Sequence, residues 1–195
     1  DQKIDTHGAT PLGADWSCRA TQELRFVQLL RIADCTAPMS INDVGCGYGA
    51  FAGFVRRRYR PAIDYLGFDV SGRMISEARR LNPLQADRYQ VAHRSPRMAD
   101  YCVASGVFNV KLDCSLPDWR RMIRSTLEDM AANSRLGFAV NFMHAKRARV
   151  LAPQLYATYA TPWVHFCTQE LGMTVEPVAG YGLAEFTLLV RRHSK

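Results

Sequence analysis

Residues 41–49 read Ile-Asn-Asp-Val-Gly-Cys-Gly-Tyr-Gly, a short β-forming run that ends in an acid and opens onto three glycines at alternate positions. A second short run, residues 65–68, ends in Asp69. Glycine lets a chain turn tightly and approach a ligand with no Cβ in the way. An acid at the tip of the next strand can accept hydrogen bonds from two ribose hydroxyls. Together they describe a nucleoside pocket at the carboxyl edge of a parallel sheet.

The spacing weighs against a dinucleotide. G-x-G-x-x-G places its third glycine for a close helix crossing and sets a pyrophosphate on the helix N-terminus. Here the order is D-x-G-x-G-x-G, with Asp43 ahead of the first glycine. A carboxylate there repels phosphate and attracts a cationic amino group. S-adenosylmethionine, which ends in a zwitterionic amino acid and has no phosphate, suits that pattern. The chain resembles the class I S-adenosylmethionine-dependent methyltransferases, whose first motif, (D/E)-x-G-x-G-x-G, matches Asp43, Gly45, Gly47 and Gly49, and whose ribose-binding acid matches Asp69.

That resemblance implies a Rossmann-like α/β fold, a three-layer sandwich around a mostly parallel seven-stranded sheet. It gives Asp43 the methionine amino end and lets the glycine backbone line the carboxyl and sulfonium region. Cys46 inside the loop and Met74 on the next helix join the expected cofactor set. Val70, after the ribose acid, is expected either against the adenine face or in core packing at the strand tip. Ser105 and Gly106, where glycine and polar groups interrupt an apolar strand, are expected to present backbone groups to the methionine tail. One departure concerns adenine. The family often carries an acid after strand three, whereas residues 92–97 here, Ala-His-Arg-Ser-Pro-Arg, contain none.

At 195 residues the chain is expected to form one domain, 1–195, with residues 1–35 an arm and helix covering the active site. No apolar run approaches the roughly 20 residues that span a bilayer. The six cysteines lack C-x-x-C pairing or a cysteine–histidine cluster, so no metal centre is expected. Reduced thiols in a cytoplasmic protein are the simple reading. The net charge of +7 raises nucleic acid as a partner, but residues 56–60, Arg-Arg-Arg-Tyr-Arg, fall near a helix end, where the dipole favours cations without any ligand.

Periodicity predicts helices over residues 21–34, 50–58, 118–132 and 162–171, and one that starts after an N-cap at Ser71 and carries Met74, Ile75, Ala78 and Leu81. Strands are predicted at 40–44, 65–68, 88–92, 101–104 and 136–141, with a terminal hairpin of 174–178 and 185–190. In the resembled family that hairpin supplies the antiparallel strand. Alternating strands and helices make the α/β sandwich.

The acceptor is expected to be a small molecule. RNA or protein methylation, and a non-catalytic S-adenosylmethionine-binding protein, are the alternatives. Asn109 and Lys111, in the loop after strand four, are the catalytic candidates on the acceptor side. Trp16, Phe108, Asn141, Tyr156 and Tyr159 are the substrate-binding candidates, with Phe108 placed either to shield the sulfonium or in a purely structural role. His7 and His144 are possible bases, since histidine titrates near neutrality. Trp16, the Asn109-Val-Lys111 loop and the run 181–186 together are similar to a bacterial subgroup of the family, a resemblance that carries no acceptor.

Overall fold

The computed structural model describes residues 19–59, 62–145 and 152–193. Trp16 and His7 lie outside those residues, as does most of the expected N-terminal arm. In chain order the elements are α1 (Arg19–Leu30), β1 (Met39–Val44), α2 (Ala50–Arg58), β2 (Ile63–Asp69), α3 (Gly72–Leu81), β3 (Tyr89–Val91), β4 (Ala99–Ala104), α4 (Leu116–Ala132), β5 (Ser134–His144), β6 (Ala157–Thr158), α5 (Ala160–His165), β7 (Thr174–Ala179) and β8 (Glu185–Arg191). The sheet runs β3-β2-β1-β4-β5-β8-β7. β1 to β5 are mutually parallel, and β8 lies antiparallel between β5 and β7. The expected seven strands form this continuous path.

An eighth strand, β6, pairs with the end of β5 at Met143 and His144. Two residues are too few to show a period, so no local pattern marks it. Strand and helix ends also shift. β1 and β2 begin earlier than their apolar runs because Met39–Ile63 and Ser40–Asp64 continue the ladder through backbone bonds. Ser71 does cap α3, its hydroxyl accepting from the Met74 N–H. The buried stripe of α3 is narrower than expected, because Ile75 and Ala78 are enclosed while Leu81 is exposed. The last predicted helix is a short α-helix continued by a wider π turn over Phe166–Glu170.

Alternation along the strands sorts the core into two layers. Phe138, Val140 and Phe142 of β5 pack with Ile123, Leu127 and Met130 of α4 and with Trp163 of α5. Ala139 faces the opposite layer, where Phe26 and Leu29 of α1, Phe51 and Phe54 of α2, and Ile75 of α3 close over Ile41 and Tyr65. Phe142 is the aromatic centre of the first layer: Phe108, Trp163 and Phe186 stack on it with centroids at 5.2, 5.4 and 5.4 Å. Replacing Phe142 with alanine is expected to cost about 3–5 kcal/mol. Urea unfolding measures it, with the midpoint falling and the slope preserved.

Candidate cofactor site

β1 lies where the strand order reverses, between β2 and β4, and open α/β sheets bind ligands outside the carboxyl ends at that point. The loop leaving β1 turns through Gly45, Gly47 and Gly49 at φ values of 65°, 54° and 82°, a region that side chains rarely tolerate. The Cys46 N–H donates to the Phe68 carbonyl at 3.0 Å, and the Gly47 N–H donates to Asp69 Oδ2 at 3.0 Å. The other Asp69 oxygen accepts from the Ser71 N–H at 2.8 Å. Asp69 therefore ties the glycine loop to the tip of β2, and each of its oxygens keeps a second lone pair for a hydroxyl. Val70, beside it, is 74% exposed and offers an open apolar face rather than core packing.

Asp43 lies deeper, 2% exposed, on the sheet face covered by α1 and α2. Its Oδ2 accepts from the Tyr65 hydroxyl at 2.8 Å. Burial raises its pKa to about 7, the Tyr65 hydrogen bond draws it back down, and the neighbouring Asp69 charge adds to the rise. Burial also pushes the Cys46 thiol well up. Met74 approaches the loop from α3, its sulfur 3.9 Å from where a Cβ on Gly47 would stand.

Beyond β4, Gly106 turns at φ 73° and its N–H donates to Asn141 Oδ1 at 2.8 Å. Asn141 Nδ2 donates to Glu185 Oε2 at 2.7 Å, and the Arg25 guanidinium of α1 donates to both Glu185 oxygens at 2.5–2.9 Å. Because β8 is antiparallel, its first residue reaches the same sheet edge as the ends of β4 and β5. All three side chains are buried, and residues 160 positions apart meet. The sequence marked neither Arg25 nor Glu185; the polar Glu185 at the head of an apolar strand was the available signal. The Ser105 hydroxyl, next to Gly106, is buried with no hydrogen-bond partner among the described residues.

Several expected acceptor residues have structural partners instead. Asn109, 6% exposed, accepts from the Met143 N–H at 3.0 Å, and its carbonyl accepts from the Tyr156 N–H at 2.9 Å. It brackets the turn against β5 rather than facing an open pocket. Lys111 folds back, donating to the Leu112 and Cys114 carbonyls at 3.1 and 3.3 Å. Phe108 is wholly enclosed in the aromatic core, stacked on Phe142, in the structural one of its two expected roles. Both ends of the Asn141 amide are engaged, by the Gly106 N–H and by Glu185. Tyr156 is buried, with its hydroxyl unpartnered among the described residues. Tyr159 is 57% exposed, its ring edge-on to His144 at 6.0 Å. The two tyrosines thus occupy different environments.

A hollow of about 320 Å³ lies between α1 and α2 and reaches the end of α3, with Tyr48 and Gly49 at one side and Arg19, Arg56 and Arg57 around it. Arg19 and Arg57 share Glu23 at 2.8 and 3.0 Å, so their charge is partly spent locally. Among the described residues no three His, Cys, Asp or Glu side chains converge as a metal site.

The Arg25–Glu185 pair fixes α1 against the sheet. Truncating one partner of a buried pair strands the other charge, so Glu185→Ala is expected to cost about 3–5 kcal/mol. Joint replacement, Arg25→Met with Glu185→Leu, should cost far less. Chemical denaturation of the single and double variants checks both values.

A methyltransferase-domain family model matches residues 41–132, from β1 through α4. Over 169 residues the chain is 39% identical to Rv1506c of Mycobacterium tuberculosis, a protein assigned as a methyltransferase, covering 85% of this chain and 100% of that one. Its fold is similar to the N-methyltransferase NodS of Bradyrhizobium japonicum in complex with S-adenosylhomocysteine, at TM-score 0.67 and 16% identity, over 99% of this chain and 98% of that one. It is also similar to magnesium protoporphyrin IX methyltransferase of Synechocystis with bound S-adenosylmethionine, at TM-score 0.60 and 13% identity, over 89% and 79% of the two chains. With the glycine loop, the acid at the tip of β2 and the reversal of strand order at β1, these likenesses establish that the chain belongs to the class I S-adenosylmethionine-dependent methyltransferases.

Proposed function

We propose that this methyltransferase acts on a small-molecule acceptor, with Asp43 and Asp69 as the two anchors of the methyl donor. The observation that carries the donor assignment is Asp43, a carboxylate buried at the switch point with a phenol as its hydrogen-bond donor among the described residues. A buried carboxylate is costly until a cation reaches it, and the amino end of the donor is such a cation. Asp69 would take the ribose hydroxyls on its remaining lone pairs, and Val70 would lie against the adenine. Ser105 and the Gly106 turn would meet the methionine carboxyl end.

S-adenosylmethionine supplies an electrophilic methyl carbon whose bond to sulfur breaks, with the electron pair going to sulfur, as the acceptor's lone pair forms the new bond. The residues of the chain have to hold the two reactants in line at roughly 3–3.5 Å, and positioning of this kind removes much of the barrier. Asn109 serves that end indirectly, by bracing the turn next to Gly106. Supporting a small acceptor, the arginine cluster lies along the flank of α2 and part of its charge is neutralised by Glu23. NodS and the protoporphyrin enzyme, similar in fold, are named for an N-methylation and for a porphyrin acceptor. The free thiols of the five described cysteines agree with a reducing, cytoplasmic setting.

Calorimetry with S-adenosylhomocysteine should show binding, and NAD should show none. Asp69→Ala should weaken the interaction by roughly a hundred-fold or more, because two hydrogen bonds to a charged acceptor are lost at about 1.5–3 kcal/mol each. Unchanged affinity in that variant would remove Asp69 from the site.

The raised pKa of Asp43 also predicts a stability profile. The folded protein keeps this proton to about pH 7, whereas the unfolded chain releases it near 3.8, so the contribution of Asp43 to stability falls as pH rises between those values. Asp43→Asn abolishes that fall. In the absence of ligand, its melting temperature relative to wild type should climb from about pH 5 to about pH 8, measured by calorimetry across that range.

A further inference from the structure

Asp43 and Gly67 are cross-strand partners on β1 and β2, and Tyr65 lies two residues before Gly67 on the same face of β2. A tyrosine there would normally stand beside its own cross-strand partner, Ile41. Instead its ring leans along β2 until the hydroxyl occupies the space above Gly67. A Cβ on Gly67 would stand 2.3 Å from that oxygen, and 2.9 Å from both Cβ and Sγ of Cys46. Only a residue without a side chain leaves that room. The hydroxyl uses it to reach Asp43 Oδ2 at 2.8 Å. The ring is held in place by Phe51 and Tyr89, at centroid distances of 6.5 and 5.7 Å. Tyr89 in turn fills the space at Gly49, its hydroxyl 2.8 Å from a Cβ built there. Two glycines with different apparent duties, one in a strand and one in the loop, therefore admit two tyrosines beneath the same loop.

We infer that Tyr65 is a positioning residue for the methyl donor, its phenol reaching through the gap at Gly67 to fix the Asp43 carboxylate that receives the donor's ammonium. This rests on the reading of Asp43 given above. A carboxylate with one oxygen held by a phenol has its other oxygen presented in a defined direction, and the same bond favours the charged form that an ammonium requires. The titratable and charged groups acting around Asp43 are Tyr65 and Asp69 of β2, Cys46 of the loop and Tyr89 of β3. Of these, Asp69 disfavours the charge and Tyr65 favours it, so the phenol offsets the acid at the other end of the pocket.

The test is calorimetric titration of S-adenosylhomocysteine into wild type, Tyr65→Phe and Asp43→Asn from about pH 5.5 to about pH 9, with 5′-methylthioadenosine, which lacks the amino-acid tail, as the second ligand. The ligand's own amine titrates alike against all three proteins, so differences between them report the protein. Wild-type affinity for S-adenosylhomocysteine should rise through neutral pH as Asp43 ionises. Tyr65→Phe should bind it roughly ten-fold more weakly near pH 7, with the rise displaced to higher pH, and should bind methylthioadenosine as wild type does. Asp43→Asn should lose both the affinity and the rise. If Tyr65→Phe keeps the wild-type affinity and midpoint while Asp43→Asn loses them, the role of Tyr65 is overturned and the reading of Asp43 stands. Equal loss of both ligands in Tyr65→Phe would also overturn it, by reducing the ring to packing. If Asp43→Asn binds as wild type does, the reading of Asp43 itself fails.

Discussion

The hydrogen bond from the Gly47 N–H to Asp69 is the contact on which the cofactor edge depends. A loop that turns three times through left-handed glycines has little regular hydrogen bonding of its own. Asp69 supplies what the turns forgo, holding the loop with one oxygen and the start of α3 with the other. The same carboxylate is the candidate ribose acceptor, so the group that orders the loop is the group that would greet the nucleoside. Preorganisation of that kind reduces the ordering cost that binding would otherwise carry.

A second polar system works at the opposite side of the switch point. Arg25, Glu185 and Asn141 form a buried chain that ends on the Gly106 N–H, and it couples the first helix to the turn after β4. Ionic groups buried this deeply add little net stability against an apolar alternative, yet they penalise any arrangement that separates them. Here they specify how α1 sits over the sheet edge, beside the turn after β4. Asp43 and Tyr65 lie between the two systems, on the same face. The polar residues of the cofactor edge thus converge in the layer under α1 and α2, while the other layer is an aromatic core centred on Phe142.

The candidate cofactor edge was legible from the sequence because its requirements are local. An acid at a strand end, glycines at fixed offsets and a second acid after the next strand are backbone demands, written within about one βαβ unit. The acceptor side was not legible in that way. Asn109, Lys111 and Phe108 share one short loop, yet the structure turns the first against β5, the second onto its own loop carbonyls and the third into the core. Nothing within that loop distinguishes a polar side chain that faces a ligand from one that braces a neighbouring strand.

The sequence by itself determined the family and the alternation of strands and helices, and it marked the candidate nucleoside edge, because period and glycine spacing act over a few residues. Tertiary structure alone decided the partners of its side chains. Arg25 meets Glu185 across 160 positions, and Tyr65 reaches Asp43 only because parallel pairing sets Gly67 opposite that acid. Such contacts depend on register and on the order of strands, which no local pattern encodes.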